Sequence, residues 1–290
     1  MPRTLSTYLF IQRKLSSAAI ESAARAGFDA IEVFCERGHF DYRSDGDARE
    51  LGNWLEANHM ALHSVHAPVH RDLGPSREGG SPLSISEPER VRRTEAVDEI
   101  KRALDLTEHV PFQILVQHVG GSREPDDPRH WEAAFSSLEH LSLFAKQRGV
   151  TIALENTPGE LATPANLRRF AEQTRLMDLR FCFDVGHAHI GDGIAASLEP
   201  MRSLIVTTHI HDNHGDKDEH LVPYQGTIDW TATMKGLPAG MPLVLELRSP
   251  AAVGSGGDNR AATTESTDAK ALDAAREALE RLERQLPARA

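Results

Sequence analysis

Residues 179–220 read LRFCFDVGHAHIGDGIAASLEPMRSLIVTTHIHDNHGDKDEH, and their punctuation decides the fold. Two short runs of apolar, aromatic and β-branched residues, 179–184 and 203–210, flank a short helical pattern near 193–199. A strand apolar on both faces, then a helix, then a second such strand is the unit of a parallel sheet. The unit extends in both directions. Strands are expected near 4–10, 29–35, 60–66, 112–118, 150–155 and 242–247. Helical patterns fall near 16–26, 46–58, 87–109, 129–148, 163–175, 229–235 and 266–285. Eight alternating units predict a closed (β/α)8 TIM barrel, and the whole of 1–290 reads as a single domain. Helix punctuation agrees: Ser86, Glu87 and Pro88 open the third helix, and Gly27 and Gly149 follow the first and fourth. Two Gly-, Pro- and Ser-rich stretches, 67–86 and 250–265, read as irregular loops, the second flexible.

Composition narrows the function. The chain has 290 residues, 40% hydrophobic and 26% charged, ordinary for a protein with a full core and incompatible with global disorder. A net charge of −11 disfavours nucleic acid or an anionic membrane as a partner. The N-terminus MPRTLSTYLF lacks the apolar stretch of a signal peptide, and no run approaches the roughly 20 apolar residues of a membrane span. The two cysteines, Cys35 and Cys182, lie in apolar runs without a CxxC pair, which suits a reducing cytoplasm and small buried side chains.

The chemistry is written at the strand ends. From the third strand to the eighth these are His66, His118, Glu155, Asp184, His209 and Glu246, all potential metal ligands. A barrel brings its C-terminal strand ends to one mouth, so residues far apart in sequence become neighbours there. His187, three residues after Asp184, and the i, i+2 pair Asp218 and His220 add further donors. Imidazole and carboxylate donors without thiolate suit Mn2+, Zn2+, Fe2+ or Co2+. Singly, each residue has a plainer reading: Asp184 or Glu155 as a helix cap, His66 or His118 as a hydrogen-bonded structural histidine. Together they do not, because three carboxylates in one mouth repel one another without a cation. Glu32 on the second strand is either an orienting carboxylate or a polar residue of a barrel layer. His211, His214, His189 and His70 are open between supporting, substrate-facing and structural roles, and period-two alternation places His63 on the helix side of its strand.

The segments LSTYLF, GFDAIEVF, SVHAP, LENT, FDVGHAH, HIHDN, DEHLVPYQGTIDW and LVLEL, taken together, resemble the xylose isomerase-like TIM-barrel superfamily over roughly residues 4–247. That superfamily includes sugar-phosphate isomerases and epimerases and the metal-dependent apurinic endonucleases. The resemblance implies a divalent metal on Glu155, Asp184, His209 and Glu246. It also implies that the extra ligands of the endonuclease branch map on to His66, His118, His187, Asp218 and His220.

The expected function is a divalent-metal-dependent isomerase or epimerase of a small sugar, sugar phosphate or related polyol. Glu155 and Glu246 would be the catalytic proton carriers, working through an enediolate. His187 and Arg248 are candidate substrate-binding residues, Arg248 because its i, i+2 offset from Glu246 turns it to the same side, or else into a salt bridge on the helix side. Two alternatives stand: a multinuclear-metal phosphodiesterase of the apurinic endonuclease type, and a metal-stabilised binding protein without catalysis. Against the first, the loop after His66 reads APVHRDLGPS, and no basic stripe is present. The sequence leaves the oligomeric state open.

Overall fold

The computed structural model describes residues 2–71, 82–173, 176–249 and 260–286. Eight strands run β1 (Thr4–Ser6), β2 (Ala30–Phe34), β3 (Ala61–His66), β4 (Ile114–His118), β5 (Thr151–Glu155), β6 (Arg180–Asp184), β7 (Ile205–Ile210) and β8 (Val244–Leu245). Each pairs in parallel with the next, and β8 pairs with β1, so the sheet closes into a barrel. Around it lie α1 (Ser17–Arg25), α2 (Asp45–Ala57), α3 (Arg90–Asp105), α4 (Pro128–Gln147), α5 (Pro164–Ala171), α6 (Val185–Ile190), α7 (Ile194–Met201), α8 (Trp230–Gly236) and α9 (Arg260–Glu283). No helix among the described residues is long and apolar enough to cross a membrane.

Local chemistry explains where the helices begin and end. Ser16, Ser44, Thr163 and Asp229 each accept a backbone N–H of the first turn of α1, α2, α5 and α8. Asp127 does the same for α4, where Pro128 occupies the first helical position. Gly27 and Gly149 take φ of 92° and 70°, a left-handed turn that lets the chain leave α1 and α4 for the next strand. The main core lies between the strands and the helices, with Ile20, Leu51, Ile100, Leu138, Phe170 and Leu279 facing the barrel wall. A smaller apolar group, Val116, Ala153 and Cys182, comes from alternate positions of β4, β5 and β6.

Several expected boundaries shift. The first strand ends at Ser6, whose hydroxyl accepts the N–H of Tyr8 and turns Thr7–Phe10 into a 3-10 helix. A helix that the sequence reading lacks, α6, follows β6 directly; its six residues are too few to show a helical period. The loop expected over 250–265 lies outside the described residues as far as 259, and from Arg260 onward the chain is already helical. The Gly and Pro residues that suggested a loop end at Gly257, and none recurs until Pro287.

Candidate metal centre

The strand-end residues converge as the barrel geometry requires. His66, His118, Glu155 and Asp184 are the last residues of β3, β4, β5 and β6; His209 is next to last in β7, and Glu246 directly follows β8. Their donor atoms, with those of His187, Asp218 and His220, fall in four groups whose members lie within 4.8 Å of one another, one of them completed by the Cys182 thiol beside Glu155 and His209. The central group is Glu155, Asp184, His209 and Glu246. A second is His66, His118 and Glu155, so that Glu155 is shared. A third holds His187, Asp218 and His220 together with His211.

Distances within these groups are those of ligands around one small cation. His209 Nδ1 lies 3.1 Å from Glu155 Oε1, 3.5 Å from Glu246 Oε2 and 3.7 Å from Asp184 Oδ2. Glu155 Oε2 lies 3.3 Å from His66 Nε2 and 3.2 Å from His118 Nε2. Asp218 Oδ2 lies 3.2 Å from His187 Nε2 and 3.1 Å from His220 Nε2. Tetrahedral ligands bonded at 2.0–2.2 Å stand about 3.3 Å apart, so the donor set fits a divalent ion. Charge points the same way, since Glu155, Asp184 and Glu246 are buried and no Lys or Arg pairs with them among the described residues.

The second nitrogen of each imidazole separates candidate ligands from neighbours. His66 Nδ1 donates to the Ala67 carbonyl at 2.8 Å, His187 Nδ1 to Asn156 at 3.0 Å and His220 Nδ1 to Glu246 at 2.9 Å. His209 Nε2 faces the Glu32 carboxylate. Each ring is thus held in the tautomer that turns its other nitrogen to the cluster. His211 differs. Its Nε2 lies 3.1 Å from Asp184 Oδ1, and its Nδ1 is buried without a hydrogen-bond partner. Ligation through Nε2 would leave an unpaired buried N–H, so His211 is better placed to donate Nε2–H to Asp184 than to bind an ion.

Burial alone raises a carboxyl pKa and lowers that of an imidazole. In this mouth the mutual pairing outweighs burial. The charge of His209 and His118 holds Glu155 well below the usual carboxylate range, and His187 and His211 lower Asp184. The Asp218 charge and hydrogen bond lift His220 to about 9, while Asp184 and Asp218 raise His187 well above its ordinary value. The carboxylates and imidazoles of the mouth thus each favour the charged form of the other.

Several residues outside the expected set support the site. Asn156, directly after Glu155, donates to the Asp184 carbonyl and accepts the Asp184 N–H, both at 2.9 Å, tying β5 to β6. Asp212 accepts Trp230 Nε1 and the Tyr224 N–H, each at 2.8 Å, and the Ile228 N–H at 3.2 Å, which closes the loop carrying Asp218 and His220. The signal for both was present in LENT and in the HDN to GTIDW segment. Tyr8 lies over His220 with ring centroids 4.7 Å apart, and Phe34 stacks on His66 at 4.2 Å. These two aromatics had no sequence signal of their own.

His63 departs from the expected side. Pairing of β2 with β3 slips between Ile31 and Glu32, so that Leu62 and Ser64 take successive partners and His63 is the extra residue. Its Nε2 lies 3.0 Å from Thr207 Oγ1 on β7, across the barrel interior. The bulge breaks period-two counting and turns His63 inward. Cys35 and Cys182 are buried free thiols whose pKa values burial pushes well up, and Cys182 lies beside Glu155 and His209. His189 bonds Thr227 and His214 bonds Glu219, both outside the centre. Above the metal-ligand candidates lies a cavity of about 270 Å³ lined by Tyr8, Phe34, Val69, His70, Glu155, His187, Glu246 and Arg248. Arg248 thus faces the mouth.

Residues 20–285 match the xylose isomerase-like TIM-barrel family, and the chain belongs to it. It is 29% identical to the uncharacterized protein MJ1311 of Methanocaldococcus jannaschii over 80% of this chain and 78% of that one. It is 25% identical to the uncharacterized protein y4fM of Sinorhizobium fredii over 76% of each. Among solved structures, a D-tagatose 3-epimerase-like protein superposes with a TM-score of 0.74 at 23% identity, covering 98% of this chain and 99% of that one. The IolI protein with a bound zinc atom superposes at 0.77 and 16% identity over the whole of both chains. At such identities the structural likeness establishes the fold.

Proposed function

We propose that this protein is a divalent-metal-dependent isomerase or epimerase of a small sugar, sugar phosphate or related polyhydroxylated carbonyl compound. One observation carries the reading: two buried glutamates, Glu155 and Glu246, border the same small cavity, with carboxylate oxygens 3.1 and 3.5 Å from His209 Nδ1. A divalent ion on Glu155, Asp184, His209 and Glu246 would polarise a carbonyl and its neighbouring hydroxyl and so acidify the adjoining C–H bond. One glutamate then removes that proton and the other returns one, with an enediolate between the two steps. Return to the opposite face of the same carbon inverts it; return to the neighbouring carbon moves the carbonyl. Tyr8 and Phe34 offer an apolar wall to C–H faces, Arg248 offers donors to substrate oxygens, and His187 Nε2 offers an acceptor to a substrate hydroxyl. The names of the superposed epimerases support this class of substrate.

A second reading is favoured by a specific observation. All nine donors of the three-ion pattern are assembled, with Glu155 shared between two groups, as a multinuclear phosphodiesterase requires. Against it, Arg248 is the sole basic lysine or arginine among the described residues bordering the cavity, and the chain carries a net charge of −11. The test is a panel of keto- and aldo-sugars, with and without phosphate, assayed in D2O beside an abasic duplex. Product formation with deuterium at the carbon next to the carbonyl is expected. Metal-dependent strand cleavage with no sugar turnover would replace the isomerase reading with the hydrolytic one.

A further inference from the structure

We infer that Glu32 is a positioning residue that holds His209 with Nδ1 turned to Glu155, Asp184 and Glu246 and strengthens that nitrogen as a donor to a divalent cation. The inference rests on the reading of those four residues as a metal site. Glu32 belongs to β2 and is fully buried in the barrel interior. His209 Nε2 lies 3.1 Å from its Oε1 and 3.2 Å from its Oε2, and the Ser64 hydroxyl donates to Oε2 at 2.7 Å. Glu32 belongs to none of the four donor groups and does not border the cavity, which places it behind His209 rather than among the donors.

Two contrasts give the contact its meaning. His66, His187 and His220 rest their second nitrogens on main-chain carbonyls, whereas His209 rests on a side-chain carboxylate. A carboxylate acceptor draws the ring proton toward itself and enriches the other nitrogen, which makes it the better donor to a metal. The second contrast is with the apolar group nearby in the barrel, Val116, Ala153 and Cys182. A carboxylate buried without Lys or Arg is unfavourable unless a hydrogen-bonded positive partner compensates it. Here the hydrogen-bonded partner is His209, whose other nitrogen faces the place where a cation would supply the positive charge. A purely structural position would be filled at lower free-energy cost by Val or Thr.

Glu32→Gln tests this, since glutamine keeps the volume and one acceptor oxygen and loses the charge. Wild type and variant are titrated with Zn2+ by calorimetry, and anomalous scattering at limiting Zn2+ locates the affected ion. Metal-free samples are melted in parallel. The expected result is affinity weakened about 10–100-fold at the central group, whether or not the metal-free variant melts lower. Wild-type affinity in the variant, with or without a lower melting temperature, makes Glu32 a packing residue and overturns the inference. Where Glu32→Gln does not fold, Ser64→Ala carries the test by leaving the carboxylate with one hydrogen bond fewer; unchanged affinity there overturns it too. A wild-type protein that binds no ion at the central group refutes the metal reading itself, which is a distinguishable failure.

Discussion

Gly186 sits in α6 two residues after Asp184, and a Cβ placed there would overlap Cε1 and Nδ1 of His211 and come within 2.6 Å of its Nε2. His211 has little room to yield. Its ring is fully buried, stacked on His220 with centroids 4.1 Å apart and held by Asp184 at 3.1 Å. Gly186→Ala therefore tests whether this packing governs the site. Overpacking a rigid buried ring is expected to cost about 1–3 kcal/mol, and a domain of this size loses roughly 2–4 °C of Tm per kcal/mol. The thermal midpoint should fall by about 2–12 °C in the metal-free protein, and Zn2+ affinity should fall because Asp184 is displaced with His211. The double variant Gly186→Ala/His211→Ala removes the overlapping ring, so it should be more stable than the sum of the two single changes predicts. Differential scanning calorimetry of the three variants measures this coupling. Strict additivity, or a Gly186→Ala protein with wild-type Tm and metal content, would refute the packing argument.

Glu246→Gln should lower kcat by about 10²–10⁴-fold, the contribution of a positioned acid or base, and weaken metal binding, while Cys35→Ser should leave turnover near wild type; steady-state kinetics with metal analysis separates the two effects. The pH dependence of the metal-free protein follows from the pairing in the mouth. His220, raised to about 9, contributes stability that is complete below its unfolded value of about 6.5 and is lost as pH rises through about 9. Glu32, which His209 lowers to about 2 against the effect of burial, contributes above its unfolded value of about 4.3 and loses that contribution as pH falls toward about 2. Saturating divalent metal should remove the alkaline loss, because the imidazoles are already deprotonated in the complex. Identical alkaline melting curves with and without metal would contradict the assignment of His220 to a metal group.

The barrel and the convergence of strand-ending His, Asp and Glu residues on one mouth were legible in the sequence because both depend on local pattern. Strand period and length, Gly and Pro punctuation, and the repeated ending of strands on His, Asp or Glu are properties of short segments, and a closed barrel sends every such ending to one mouth. Partnership across the barrel is not local, and only the tertiary structure decided it. The division of the donors into four groups, three of them sharing Glu155, depends on how six strands stagger. The inward turn of His63 depends on one extra residue in the pairing of β2 with β3, which alternation cannot reveal. The contacts of Glu32 with His209 and of His211 with Asp184 likewise join residues 177 and 27 positions apart. A carboxylate in a strand or a histidine after one carries no mark of its partner, because hydrogen bonding and burial are fixed by the atoms brought against it in space rather than by its neighbours along the chain.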